Sequence, residues 1–282
     1  MSILKDQIEY EVVEGWDRLP EGWVYTQVAG VTVDSRDRVY VLNRGEHPII
    51  VYEKDGSFVG SWGEGMFQNA HGAYIDDEGY IYCVDRNRHV LWKFTTDGEL
   101  LMTIGNVDEA APDGEPFNLP TDVALAPDGD IYVSDGYGNN RVHRFSPEGK
   151  LLLSWGEPGE GPGQFNLPHG IWVRDGKVYV ADRQNNRIQI FTPDGEYIEE
   201  WGGFKQPCDL SIDEEGIVYV PELQGRVSIL NLDMEVLARI GGERGFEPGE
   251  FYAPHCTWTD SEGSLYVGEV LEGQRIQKFV RK

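Results

Sequence analysis

Basic residues are scarce: 24 lysines and arginines stand against 49 acids in 282 residues, for a formal charge of −25. That surface repels phosphate backbones and anionic headgroups, so nucleic acid and membrane are not expected as partners. Cysteine is scarcer still. Cys83, Cys208 and Cys256 are scattered singly, with neither a disulfide framework nor the Cys-x-x-Cys spacing of a zinc site, and this usage fits a reducing compartment. No run of about 18 apolar residues occurs, and Met1-Ser2-Ile3-Leu4-Lys5-Asp6-Gln7 has no signal-peptide core, so the expectation is a soluble, cytoplasmic protein. Helical periodicity is almost absent as well. No feature of the sequence bears on oligomeric state.

What is abundant is turn and strand material, with 35 glycines, 15 prolines, 14 tyrosines, 11 phenylalanines and 8 tryptophans. An apolar-Tyr-apolar strand recurs six times, centred on Tyr40, Tyr82, Tyr132, Tyr179, Tyr219 and Tyr266, at intervals of 40 to 50 residues. Such a period with four short strands per unit is the mark of a β-propeller blade. The third unit shows it: Asp122 to Leu125, a Pro-Asp-Gly turn, Ile131 to Ser134, Arg141 to Phe145, a Pro-Glu-Gly turn, and Leu151 to Trp155. The sixth unit ends at Phe279-Val280 without a fourth strand, whereas 8–13 is an unassigned alternating run. The fold class is therefore all-β, one six-bladed propeller over 1–282, with the 8–13 strand completing the last blade and removing two open edges. Ala181-Asp182-Arg183-Gln184-Asn185-Asn186-Arg187-Ile188 and the following Phe191-Thr192-Pro193-Asp194-Gly195 resemble NHL repeats, and the resemblance extends over essentially the whole chain.

The first strand of each blade lines the central channel, so residues at one repeat position form a ring. The sequence places Gly30, His71, Thr121, His169, Cys208 and His255 there, in blades one to six. Three of only six histidines thus fall in alternate blades, about a third of a turn apart, and three neutral imidazoles with an open fourth position are the ligand set of a catalytic zinc. His47, His89 and His143 lie elsewhere in the repeat and read as structural or surface residues. Asn43, Asp85, Asp135, Asp182, Glu222 and Glu269 end the second strands and are expected to cap the next turn. Phe67, Phe117, Phe165, Phe204 and Phe251 read as packing between blades, and 156–163 as a surface loop. Just after the acids come Arg44, Arg86, the Gly136-Tyr137 pair and Arg183, which the meander brings to the mouth above the histidines. Arginines over a metal suggest a small anionic, oxygen-rich substrate as the partner.

In their order along the chain, Asn43-Arg44-Gly45-Glu46-His47, Ala70-His71-Gly72, Pro120-Thr121-Asp122-Val123-Ala124, Ser134-Asp135-Gly136-Tyr137-Gly138, Leu167-Pro168-His169-Gly170 with Ala181-Asp182-Arg183, and Ala253-Pro254-His255 resemble the motifs of the peptidyl-α-hydroxyglycine α-amidating lyase (peptidylamidoglycolate lyase) family. The resemblance implies a six-bladed propeller that cleaves the C–N bond of a carbinolamide to an amide and glyoxylate. It implies Zn2+, or another divalent transition metal, on His71, His169 and His255, Tyr137 as the catalytic base, and Arg44 and Arg183 as residues that bind substrate and tune the tyrosine. Arg86 joins them as a substrate-binding residue on its position alone. The family's acidic residue after the third histidine, which helps hold a structural Ca2+, is Cys256 here, so the calcium stays open. A family methionine becomes Ala253 and a family cysteine becomes Gly138, which separates this substrate pocket from the family's, and the lack of a secretion signal points to a small N-acyl or N-carbamoyl α-hydroxyglycine-like metabolite. Two other readings stand beside the lyase: a metal-dependent hydrolase or lactonase on the same scaffold, and a non-enzymatic NHL propeller that binds a protein.

Overall fold

The computed structural model describes residues 8–112 and 114–282. Six antiparallel four-stranded sheets follow one another around a central axis, each a meander from the innermost strand outward. Blade one runs Val28–Val33, Val39–Asn43, Ile49–Tyr52 and Phe58–Trp62, and blade two Ala70–Ile75, Tyr80–Asp85, Val90–Thr95 and Leu100–Ile104. Blades three, four and five begin at Asp122–Leu125, Pro168–Arg174 and Ser211–Ile212. The last sheet pairs Pro254–Thr259, Leu265–Glu269 and Ile276–Arg281 with Tyr10–Val13 from the other end of the chain, in the register Tyr10 to Arg281 and Val13 to Lys278. The ring is closed by the N-terminal strand, which begins at Tyr10 rather than at residue 8.

The core lies between blades. Tyr40, Leu42 and Ile49 of blade one pack on Ile81, Trp92 and Phe94 of blade two, and equivalent clusters fill the other gaps. Burying each such large side chain contributes about 1.5–3 kcal/mol. The repeat tyrosine is buried in all six blades, and its hydroxyl accounts for Tyr rather than Phe: Tyr40, Tyr219 and Tyr266 donate to Asp34, Asp213 and Asp260 in the first turn of their own blades. Phe117, Phe165, Phe204 and Phe251 are buried as expected, while Phe67 is half-buried.

The acids that end the second strands do not chiefly cap the following turn. Asn43, Asp85, Asp135, Asp182, Glu222 and Glu269 accept backbone N–H groups from Thr26, Gln68, Asn118, Asn166, Lys205 and Tyr252, 16 or 17 residues upstream. Those residues lead into the first strand of the same blade. Chain direction explains the difference, because an antiparallel neighbour puts the end of strand two beside the entry to strand one.

Candidate metal centre

In blades two, four and six the ladder between strands one and two breaks at the histidine. Pro168 pairs with Asp182 and Gly170 with Ala181, leaving His169 out; Pro254 and Cys256 flank His255 in the same way; Ala70 and Ala73 flank His71 and Gly72. A bulged residue leaves the strand's alternation and its side chain is re-aimed, here toward the axis. The entry to each bulge is pinned by Asp85 on Gln68 and Asn69, Asp182 on Asn166, and Glu269 on Tyr252 and Ala253. In blade one the break falls at Ala29, between the Val28–Asn43 and Gly30–Leu42 pairs. Ala29, not the expected Gly30, is therefore the ring residue of that blade, a one-residue shift that spacing cannot register.

The three imidazoles are buried and face one another with centroids 4.8, 4.9 and 4.8 Å apart. Each Nδ1 lies on the backbone carbonyl of the next ring residue: His71 on Thr121 at 2.7 Å, His169 on Cys208 at 2.6 Å, His255 on Ala29 at 2.8 Å. A carbonyl only accepts, so Nδ1 carries the proton and Nε2 presents its lone pair. The three blades without histidine thus orient the three with it, as outer partners of metal-binding imidazoles do. Burial holds all three well below the ordinary imidazole range, helped by the positive charge of Arg44 at His71 and His255 and of Arg183 at His169. One potential ligand atom from each lies within 4.8 Å of the others, so the cluster can hold a metal ion. Neutral imidazoles with a set tautomer are the donor set that zinc and its neighbours accept.

Tyr137 closes the arrangement. Its hydroxyl sits 3.3 Å from His71 Nε2 and 3.2 Å from His169 Nε2, and Arg183 Nη1 donates to it at 3.2 Å. The Arg86 guanidinium lies 4.7 Å over its ring and that of Arg183 5.4 Å. Arg44 donates Nε to Ala70 O at 3.0 Å and Nη1 to Gln27 at 2.7 Å, so the guanidinium bonded to the phenol is Arg183 and not Arg44. Burial brings Arg44 down to about 10, opposed by the nearby Tyr137, and it stays charged at neutral pH. Arg44 Nη2 and Arg183 Nε are buried without a partner among the described residues. Donors left over in this way beside the histidine cluster are able to bind an anion.

Two residues escaped the sequence reading. Asp122 and Asp209, next in sequence to the ring residues of blades three and five, line a cavity of about 10 Å3 with the histidines, room for about one water. Burial raises both carboxyls, Asp209 to about 7 and Asp122 well above its ordinary value, with the charge of Asp209 adding to the rise at Asp122. Their signal, an acid one step past the ring positions Thr121 and Cys208 in two alternate blades, was already present in the sequence. Cys256 is buried with Sγ 4.0 Å from Val28 O and offers no hard oxygen ligand, so a calcium at that residue does not fit. Outside the centre, His143 is buried on Asp135 and Ser154, His89 accepts the N–H of Leu119, and His47 stacks on Trp23, in keeping with structural roles.

The fold defines the class: a six-bladed β-propeller carrying a buried three-histidine cluster. The NHL repeat family matches residues 117–145 and 165–191, which span parts of blades three and four. Among named proteins, the chain is a relative of the peptidyl-α-hydroxyglycine α-amidating lyases. It is 33% identical over 133 residues to peptidyl-alpha-hydroxyglycine alpha-amidating lyase 1 of Drosophila melanogaster, covering 45% of this chain and 24% of that one. It is 33% identical over 194 residues to the peptidyl-glycine alpha-amidating monooxygenase of Mus musculus, covering 56% of this chain and 20% of the relative. The matched stretch is thus about a fifth of the length of that relative. A solved structure described as a streptogramin B lyase superposes with a TM-score of 0.68 at 14% identity, covering 98% of both chains, and shows the shared fold. No helix among the described residues is long and apolar enough to cross a membrane.

Proposed function

We propose that the chain is a metal-dependent carbon–nitrogen lyase that cleaves a small α-hydroxyglycine-type carbinolamide into an amide and glyoxylate. The observation that carries the reading is the placement of the Tyr137 hydroxyl, between the Nε2 atoms of His71 and His169 and the Arg183 guanidinium. His71, His169 and His255 would hold Zn2+ or a similar divalent ion. When bound, the ion supplies Lewis acidity that makes the substrate hydroxyl easier to ionise. Tyr137 Oη, held by the Arg183 guanidinium, is the group placed to take that proton. As the deprotonated carbinol collapses to the aldehyde of glyoxylate, the C–N bond breaks and its electrons leave with nitrogen. The proton that Tyr137 took then passes to that nitrogen, so the amide departs neutral and Tyr137 is restored. Arg44 Nη2 and Arg183 Nε, both without a protein partner, would bind the substrate carboxylate, with Arg86 covering the mouth.

The test is metal content by mass spectrometry of the parent and His169→Ala, followed by glyoxylate release from N-acyl α-hydroxyglycines. About one metal per chain, lost in the variant, together with glyoxylate and an intact amide, is expected. Product carrying an added water would assign a hydrolase instead. A folded parent with no affinity for any divalent transition metal would leave the protein-binding propeller as the reading.

A further inference from the structure

The three histidine blades share a second feature three residues further along the same strands. Tyr74, Trp172 and Trp258 occupy the register opposite the repeat tyrosines of their blades, where blades one, three and five place Thr32, Ala124 and Ser211. The aromatic rings pack on one another with centroids 5.6, 5.4 and 5.1 Å apart, and each remains partly exposed. They floor a cavity of about 410 Å3 at the end of the channel remote from the histidines. Three residues of strand separate the two levels, about 10 Å.

The walls are one-signed, with eight carboxylates and a single guanidinium, that of Arg281. Arg36 matches Asp34, Lys54 matches Asp37, Lys54 and Lys278 both approach Asp260, and Arg281 matches Glu215. The side-chain carboxylates of Asp76 and Asp77 on blade two, and of Asp213 and Glu214 across the ring on blade five, form no ion pair among the described residues, although the Arg174 guanidinium donates to the backbone carbonyls of Asp213 and Glu214. A plug serving only to close the channel would be packed to crystal density, whereas these rings stand under open space of ligand size. An anion is excluded by the walls. A metal ion would need several oxygens at about 2.0–2.6 Å, not a floor of carbon. A weakly hydrated alkylammonium ion gains from the π faces and from the flanking carboxylates together.

We propose that this cup is a binding site for a small organic ammonium ion, seated on Tyr74, Trp172 and Trp258 and flanked by Asp77 and Glu214. It lies at the opposite end of the channel from the arginine rim, so it does not compete with an anionic substrate there. Calorimetric titration of the full chain with choline at physiological ionic strength tests it, beside the uncharged isostere in which carbon replaces nitrogen. Saturable one-to-one binding of choline is expected, roughly tenfold tighter than the isostere. That affinity should fall severalfold in Asp77→Asn/Glu214→Gln and be lost in Trp172→Leu. Should Trp172→Leu fail to fold by circular dichroism, the surface double variant decides alone. Absence of saturation, equal affinity for choline and its isostere, or an affinity unchanged in the double variant would overturn the proposal.

Discussion

Tyr137 reaches the channel because its neighbours have no side chains. A Cβ on Gly136 would collide with the carbonyl of Pro168, and one on Gly138 with Asn118. Gly138→Ala should therefore displace the tyrosine and lower activity with metal content preserved. Tyr137→Phe removes only the hydroxyl, and on the proposed mechanism kcat should fall about 10²–10⁴-fold at unchanged metal stoichiometry; full activity would exclude the phenol as base. Asp209 supports a prediction on pH. Its folded carboxyl is raised to about 7, so as pH rises from its ordinary value the unfolded chain ionises while the fold keeps the proton. Stability attributable to this group is full at low pH and is lost as pH rises toward 7. Asp209→Asn mimics the protonated form, and its melting temperature should gain on the parent's steadily between about pH 4 and 7. A constant gap would show that Asp209 ionises normally.

Strand two and the entry to strand one form a single positioning element. Glu269 is fully buried and accepts Tyr252 N–H at 2.6 Å, Ala253 N–H at 3.3 Å and Arg275 Nε at 2.6 Å. Glu269→Ala leaves these donors unpaired and should cost about 3–5 kcal/mol in chemical denaturation. It should also weaken metal retention, because His255 follows two residues after Ala253. The sequence displayed these acids at one repeat position yet hid their partners. Their hydrogen bonds run to residues 16 or 17 positions back, a distance that strand pairing sets and local turn chemistry does not. The bulges were hidden likewise, since a ladder's register is a relation between two strands, and so the sequence points to Gly30 where the ring residue is Ala29.

Closure is a property of the whole ring. Tyr10–Val13 covers the edge of Ile276–Arg281, and Tyr10 Oη bonds Tyr219 Oη of blade five at 2.9 Å. A truncation that removes Tyr10–Val13 should expose an unpaired strand edge, lower the melting temperature by several degrees and yield higher-order species on size-exclusion chromatography. An unchanged monomer-like profile and melting point would show that the closing strand is dispensable. At this scale the channel also acquires two unlike ends, arginines and a phenol over the histidines and carboxylates around an aromatic floor at the other.

By itself the sequence determined the blade count, the closing strand and the three histidines at one repeat position, because a repeat writes the same physical demand six times. Arg44, Arg86, Tyr137 and Arg183 were likewise legible as a set from their common place after the second-strand acids. Tertiary structure alone decided which guanidinium meets the phenol, which carbonyls orient the imidazoles, and that Asp122 and Asp209 lie beside the histidines. Those relations join side chains of different blades around the axis. A one-dimensional period specifies where each blade starts, whereas contacts across a closed ring depend on the bulges and side-chain directions that only packing sets.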